Sequence, residues 1–348
     1  MSASPPPILT IGIKALNEEA HIEAALASAC EAVSQVGGQV ILADSGSIDR
    51  TVEIAAGFVA RGHPVSVWQL TDTAMRSCGT GAQLAFQHAM GEYFYLLDGD
   101  MVLAAAFIAD GLAFLRDNPG YAAVGGRVVE AQTQSIEFEL RAQSDKVKGS
   151  AVSGEVDRLD CGGLYRMEAI RSVGYFADCN LHAFEEFELG ARLRTKGWKL
   201  ARIAVPAVYH FGHTTGGYRL MLRRLRSGYA GGPGEVVRAA LRGGHFKHVL
   251  RDFSQLRLGV AVWGWWAVLL ASLFTGQWAI LATATAVPLA FLSWRRGGLR
   301  LGLYSLAVWN INAIGLVQGL MRHRRSPAAP VPAFQVCITS PASPQLPD

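Results

Sequence analysis

Tyr93-Phe94-Tyr95-Leu96-Leu97-Asp98-Gly99-Asp100 is the stretch on which the fold turns. Five consecutive aromatic and aliphatic residues, with no polar residue alternating among them, predict a strand buried on both faces. The strand stops abruptly at two carboxylates separated by one glycine. In an open α/β sheet, ligands sit in the crevice beyond the carboxyl ends of the strands, so Asp98 and Asp100 stand at its lip. Carboxylate oxygens suit a hard divalent cation, Mg²⁺ or Mn²⁺, and such a cation often takes a diphosphate as its other ligand. Taken alone, an Asp-Gly-Asp is more often a solvated turn, and the surrounding chain has to decide between the two.

Outward from this stretch, strand and helix patterns alternate. Ile8 to Ala15 reads as a first buried strand, followed by Asn17-Glu18-Glu19 and a helix from about Ala20 to Ser34. Val40 to Ala43 is a second strand, ending at Asp44-Ser45-Gly46-Ser47, and Asp49 opens a helix to about Ala60. Val65 to Leu70, Thr80 to Met90 and Tyr93 to Leu97 continue as strand, helix and strand. Short connections between alternating elements predict a mainly parallel sheet. Asp44 and the Asp98/Asp100 pair then lie at one edge, an arrangement suited to a nucleotide. No G-x-G-x-x-G follows the first strand and no G-x-x-x-x-G-K-[ST] occurs, which disfavours dinucleotide dehydrogenases and P-loop enzymes.

Further along, Ala122 to Ala131 reads as a strand, Gln134 to Gly149 as a helix, and Leu159 to Arg166 as a glycine pair leading into a short strand. Met167 to Val173 reads as a brief helix. Glu185-Glu186-Phe187-Glu188 begins another that ends at Lys196-Gly197; three acids there also suit the positive end of a helix dipole. Lys199 to Val205 is a late strand, with His210 and His213 just past it.

The 348 residues are half apolar with a formal charge of +4, and both features are unevenly spread. Arg219 to Arg257 holds nine Lys/Arg against two acids, which favours anionic lipid or diphosphate; aromatics are too sparse there for nucleic acid to be the expected partner. Five scattered cysteines without a Cys-x-x-Cys pair indicate neither a disulfide framework nor a zinc site and fit a reducing cytosol. Met1 to Pro7 lacks a signal-peptide pattern, so the amino-terminal part is expected on the cytoplasmic side.

From Leu258 to Ser293, 36 residues carry no charge. One membrane span takes about 20 residues, so this run suits a hairpin turning near Gly276-Gln277, with tryptophans as interfacial anchors. Arginines flank it on both sides. A second apolar stretch, Leu301 to Met321, is diluted by Asn310, Asn312 and Gln318; a crossing there would strand Arg322, Arg324 and Arg325 on the far side, so a span, a re-entrant segment and an interfacial helix all stay open. The organisation expected is a disordered segment over 1–7, a catalytic domain over 8–218, basic interfacial helices over 219–257, membrane helices over 258–325 and a disordered Pro-rich tail over 326–348.

Ile13-Lys14-Ala15-Leu16-Asn17-Glu18-Glu19, Asp44 to Thr51, Leu97-Asp98-Gly99-Asp100 and Glu185-Glu186-x-Glu188-Leu189 resemble, in order and spacing, glycosyltransferase family 2. The resemblance spans about Ile8 to His213 and implies a Rossmann-like GT-A fold, a UDP- or GDP-sugar donor, Mn²⁺ or Mg²⁺, and inversion at the anomeric carbon. Carried over, Asn17 and Glu19 border the nucleoside, Asp44 accepts from the base, and Ser47 and Arg76 belong to the same donor-binding set. Asp98 faces ribose or metal-bound water, while Asp100 binds the metal with His210, or His213 in second place. The family's base is usually the Asp of a Glu-Asp pair. Here the pair is Glu185-Glu186, which implies Glu186 as base, with Glu185 and Glu188 as neighbouring candidates. Gly162-Gly163 resembles an acceptor-side turn, and no Gln-x-x-Arg-Trp follows.

These features imply an enzyme at the inner membrane, facing the cytoplasm, that transfers a sugar to a lipid-linked or envelope glycan. A polyprenyl-phosphate glycosyl synthase and a catalytically silent nucleotide-sugar-binding scaffold are the alternatives.

Overall fold

The structure, a computed structural model, describes residues 7–104, 106–131, 153–159, 163–212 and 217–336. The helix expected over 134–149, Gly162 and His213 lie outside them. The amino-terminal half follows the alternation: β1 (Leu9–Ala15), α1 (Ile22–Val36), β2 (Gly38–Asp44), α2 (Thr51–Ala60), β3 (Val65–Leu70), α3 (Cys78–Gln87) and β4 (Tyr93–Asp98). β5 (Met101–Leu103), α4 (Phe107–Asp117), β6 (Tyr121–Glu130), β7 (Gly154–Val156), β8 (Gly163–Arg166), α5 (Met167–Ser172), α6 (Glu185–Thr195) and β9 (Lys199–His210) complete the α/β part of the chain.

These nine strands lie in one sheet, in the order β3-β2-β1-β4-β8-β6-β9-β5, with β7 beside β9. β3, β2, β1 and β4 pair in parallel, whereas β8 runs antiparallel between β4 and β6, so the sheet is mixed beyond β4. β4 shows why its sequence lacks alternation. Tyr93, Tyr95 and Leu97 point into the core under α1, α2 and α4, while Phe94 and Leu96 enter a second core with Phe176, Leu84 and Tyr165. Both faces are dry, so both sets are apolar.

Three basic or mixed helices follow the α/β part, α7 (Gly217–Arg226), α8 (Gly232–Gly243) and α9 (Phe246–Asp252), and then the long apolar α10 (Ser254–Phe274). Two further long helices, α11 (Trp278–Arg296) and α12 (Leu299–Met321), bring to three those long and apolar enough to cross a membrane. Phe187, Val236, Val249, Phe253 and Leu316 form a third core that joins α6 to α8, α9 and α12.

The tail departs from the disorder expected after Ser326. Thr71 donates to the Pro332 carbonyl and β10 (Ala333–Gln335) pairs antiparallel with the outer edge of β3. Proline content suggested a tail that could not order. Yet Pro332 precedes the strand, where its missing N–H costs no ladder bond.

Candidate active site

Sheet register assembles one side of the site. β5 pairs with β9 so that Met101 faces His210, and β6 pairs with β9 so that Glu130 faces the same histidine. β9 runs on through Pro206 to His210, five residues beyond the expected strand, and so carries this histidine on rigid backbone. His210 Nε2 therefore lies 3.3 Å from Asp100 Oδ2 while its Nδ1 lies 2.8 Å from Glu130 Oε2. Burial alone would lower this imidazole's pKa, but hydrogen bonds to Asp100 and Glu130 raise it to about 10. Gly99 makes the turn possible: a Cβ there would stand 2.9 Å from the Glu18 side chain.

Lys14 organises the other side. Among the residues of β1 it alone is charged, and its ammonium reaches Glu185 Oε1 at 2.7 Å and Asp98 Oδ1 at 3.3 Å. Burial would lower Lys14; Asp98 and Glu185 outweigh that and hold it well above its ordinary value. Glu185 is thus spoken for. The half-buried Glu186 is pushed up to about 8, by burial first and then by Glu185, with Lys14 opposing. Glu188 is two residues on, about 200° around the helix from Glu186. It is fully buried, accepts both of its 2.9 Å contacts from Arg192 Nε, and lies 3.4 Å from His245. The helix is entered through Phe184 in the left-handed region (φ 68°), a conformation that costs free energy and concentrates at functional sites.

The loops after β1 and β2 are laced together by their own polar groups. Asp44 is fully buried and accepts from the N–H groups of Gly46 (2.8 Å) and Ser47 (2.9 Å), from the Ser47 hydroxyl and from Gln69 Nε2 (2.8 Å). Asn17, at φ 58°, donates to Ser47 Oγ and accepts from the Ile48 N–H; the Arg50 N–H donates to Glu19. Asn17, Glu19, Asp44 and Ser47 therefore frame the two loops. Arg76 clamps the second loop through the Ser45 carbonyl at 2.7 Å and the Gly46 carbonyl.

Between these walls lies a cavity of about 540 Å³ whose lining includes Lys14, Glu18, Arg76, Asp98, Asp100 and Tyr229. Glu18 is raised to about 8, by burial first and then by Asp100 and Asp98, so three carboxylates crowd one end. Lys14, Glu18, Glu130 and Tyr229 had no assigned role in the sequence. A lone lysine in an otherwise uncharged buried strand was a readable signal for Lys14; the others depend on register and on a distant helix.

Asp100 and His210, with Asp98 and Glu18 close by, fit Mn²⁺ or Mg²⁺ by donor chemistry. Glu130 on Nδ1 fixes the imidazole as a carboxylate does behind a metal-bound histidine. No three His, Cys, Asp or Glu side chains among the described residues form a preassembled cage. Cations of this kind keep substrate phosphates and water in their shell, and one or two protein carboxylates suffice.

Residues 10–172 match the sequence model of Glycosyl transferase family 2. Over that stretch, a little under half of the chain, the sequence is similar to family 2 glycosyl transferases. Among solved structures, it is similar to the mannosyltransferase PcManGT from Pyrobaculum calidifontis in complex with GDP-Man and Mn²⁺, with TM-score 0.55 and 20% identity over 89% of this chain and 88% of that one. At that identity the likeness establishes the GT-A fold. S. aureus TarS is less alike, with TM-score 0.49 and 16% identity over 71% of this chain, which spans 43% of TarS. No match was found among curated proteins. The family 2 match ends before α6, so Glu186 and His210 join the site from beyond it.

Proposed function

We propose that the protein transfers a sugar, with inversion, from a UDP- or GDP-linked donor to a hydroxyl of a lipid-linked glycan at the cytoplasmic face of the inner membrane. One observation carries this reading: two cavities meet at Tyr229. The larger is lined by the carboxylates of Glu18, Asp98 and Asp100. The smaller, about 210 Å³, lies between the catalytic domain and the apolar helices, among Phe184, Met221, Arg224, Tyr304, Val308 and Ile311. Apolar side chains beside one guanidinium, with Gln255 and Asn312 also in the lining, suit an amphiphile carrying an anionic head. Arg224 also sits over the Tyr229 ring, 5.0 Å from its centroid.

Asp100 and His210, with Asp98 beside them, would hold Mn²⁺ or Mg²⁺, whose charge offsets that of a departing diphosphate. Arg76 and the loops it clamps bind and orient the donor. Glu186 takes the proton of the acceptor hydroxyl as that oxygen bonds to the anomeric carbon. The carbon–oxygen bond to the diphosphate breaks on the opposite face and its electron pair leaves with the nucleoside diphosphate. A base whose pKa lies near the working pH suits this role, and the value of about 8 for Glu186 meets that condition.

Arg224 favours a second reading, in which the acceptor is the lipid phosphate itself and needs little deprotonation. Glu186→Gln separates the two. Transfer to a sugar hydroxyl falls by several orders of magnitude while transfer to a lipid phosphate changes little; full transfer to a hydroxyl by this variant would remove Glu186 from the base role. Absence of any Mn²⁺- or Mg²⁺-dependent transfer or donor hydrolysis would leave the scaffold alternative.

A further inference from the structure

We propose that the chain enters the bilayer only as the α10–α11 hairpin, crossing twice, and that α12 lies in the leaflet on the catalytic side without crossing. Hydropathy treats α10, α11 and α12 alike. Their contacts do not. α12 is held against the catalytic side from its first turns to its last. Near its start, Tyr304 donates to the Gly217 carbonyl at 3.3 Å and its ring meets Tyr218 edge-on at 5.2 Å. Towards its end, Gly315 and Gly319 sit so close to the chain before α8 that a Cβ on either would stand 2.0 Å from a backbone oxygen, of Ala230 and Gly231 respectively. Gly234 faces the Leu316 carbonyl equally closely, at 2.1 Å. Small residues facing each other allow such backbone contact between helices.

Past α12 the chain stays with the catalytic domain. Arg322 pairs with the buried Glu235 and lies 2.9 Å from His182 Nδ1, in a residue that also lines the main cavity. Arg324 pairs with the buried Asp178, Arg325 exchanges hydrogen bonds with Asn180, and Val331 exchanges a 2.9 Å pair with Gln87. β10 then joins β3. Three crossings would place residues 322–336 across the bilayer from β3, and none of these contacts could form. The number of crossings is therefore even.

The hairpin has what a crossing pair needs. Its 36 residues from Leu258 to Ser293 are uncharged, and 21 and 19 residues give helices of about 32 and 28 Å, against a hydrocarbon core of about 30 Å. Its tip is bare: Phe274 is 85% and Trp278 65% exposed. Arg251, Arg257, Arg295, Arg296, Arg300 and Arg322 then all fall on one side, which satisfies the positive-inside tendency that a third crossing would break. The exposed side chains of α12 include the apolar Leu299, Leu303, Ile314, Val317 and Met321, which meet acyl chains at the level of the smaller cavity, besides Arg300 near its start and Gln318 near its end.

The test uses the full-length protein in sealed membrane vesicles of both orientations. Single cysteines replace the exposed residues Glu31, Thr275 and Ala329, and labelling by a membrane-impermeant maleimide is measured above that of the unaltered chain. Glu31→Cys and Ala329→Cys are expected to react from the same side and Thr275→Cys from the other. Reaction of Ala329→Cys from the side of Thr275→Cys would mean three crossings and overturn the proposal. Reaction of Thr275→Cys from the side of Glu31→Cys would overturn the two-crossing hairpin. A fluorescent protein fused after Asp348, which matures only in the cytosol, gives the tail's side independently of cysteine chemistry; a dark fusion on an inserted protein counts against the proposal.

Discussion

Replacing Lys14 by Met keeps the aliphatic stem of the side chain and removes the charge that holds Asp98 and Glu185 together. At an effective dielectric of about 20, contacts of 2.7 and 3.3 Å represent roughly 5–6 kcal/mol of gross attraction each, most of it cancelled by the cost of drying the ions. Removing one partner of a buried pair costs about 3–5 kcal/mol. Asp98 is partly exposed, so the lower end applies: about 3 kcal/mol, or a fall in Tm of roughly 6–12 °C for a domain of about 200 residues. A second effect concerns Glu186, where burial and Glu185 raise the carboxyl to about 8 and Lys14 is the group pulling it down. Without Lys14 it moves higher still. A base acts only when ionised, so the rising limb of kcat/KM against pH shifts to more alkaline pH. The sign for stability is the same. A carboxyl raised by folding stabilises the fold at acid pH and loses that contribution as pH climbs through its folded value, so in Lys14→Met the loss continues beyond about pH 8. Thermal melts from pH 5 to 9 and kcat/KM from pH 6 to 10 read both effects. If the melting temperature and the rising limb are both those of the parent, Lys14 does not organise the site.

Two further substitutions separate framework from chemistry. Glu188→Gln leaves Arg192 buried without its carboxylate, which should cost about 3–5 kcal/mol in denaturant unfolding while kcat of the folded enzyme changes only a few-fold; a collapse of kcat at unchanged stability would return Glu188 to the chemistry. Glu130→Gln loosens the imidazole of His210 and is expected to weaken Mn²⁺ binding about 10- to 100-fold, measured by calorimetric titration, with little change in fold stability. An unaltered affinity would argue that His210 is no ligand.

The strands were legible because burial on both faces writes itself as an unbroken apolar run, and Tyr93 to Leu97 divides its side chains between two cores as that pattern requires. What an acid does at the end of a strand was not legible in the same way. Asp44, Asp98 and Asp100 look alike in the sequence. Yet Asp44 is saturated by four donors within reach of its own loop, while Asp98 and Asp100 face a cavity. The difference lies in hydrogen-bond direction, which composition and spacing do not encode. The glutamates of α6 sit between these cases. Helical rotation separates Glu186 from Glu188 by about 200°, so the two lie on different faces, but only the positions of Lys14 and Arg192 tell that Glu185 and Glu188 are held by ion pairs.

The same distinction governs the membrane helices. Length and hydropathy measure how readily a helix leaves water, and on that measure α12 qualifies as a span as α10 and α11 do. They carry no information on whether its apolar surface meets lipid or protein. That information was present in another form, as Gly315-x-x-x-Gly319 and the glycines at 231, 232 and 234. Glycine in a helix interior costs about 1 kcal/mol relative to alanine, so paired glycines on two segments signal a close crossing that offsets the cost. Read that way, α12 belongs to the catalytic domain's own packing. Its Tyr304, Val308 and Ile311 then form one wall of the cavity that shares Tyr229 with the carboxylate site, so the helix that least needs to span the bilayer is the one that borders the cavity proposed for a lipid-borne acceptor.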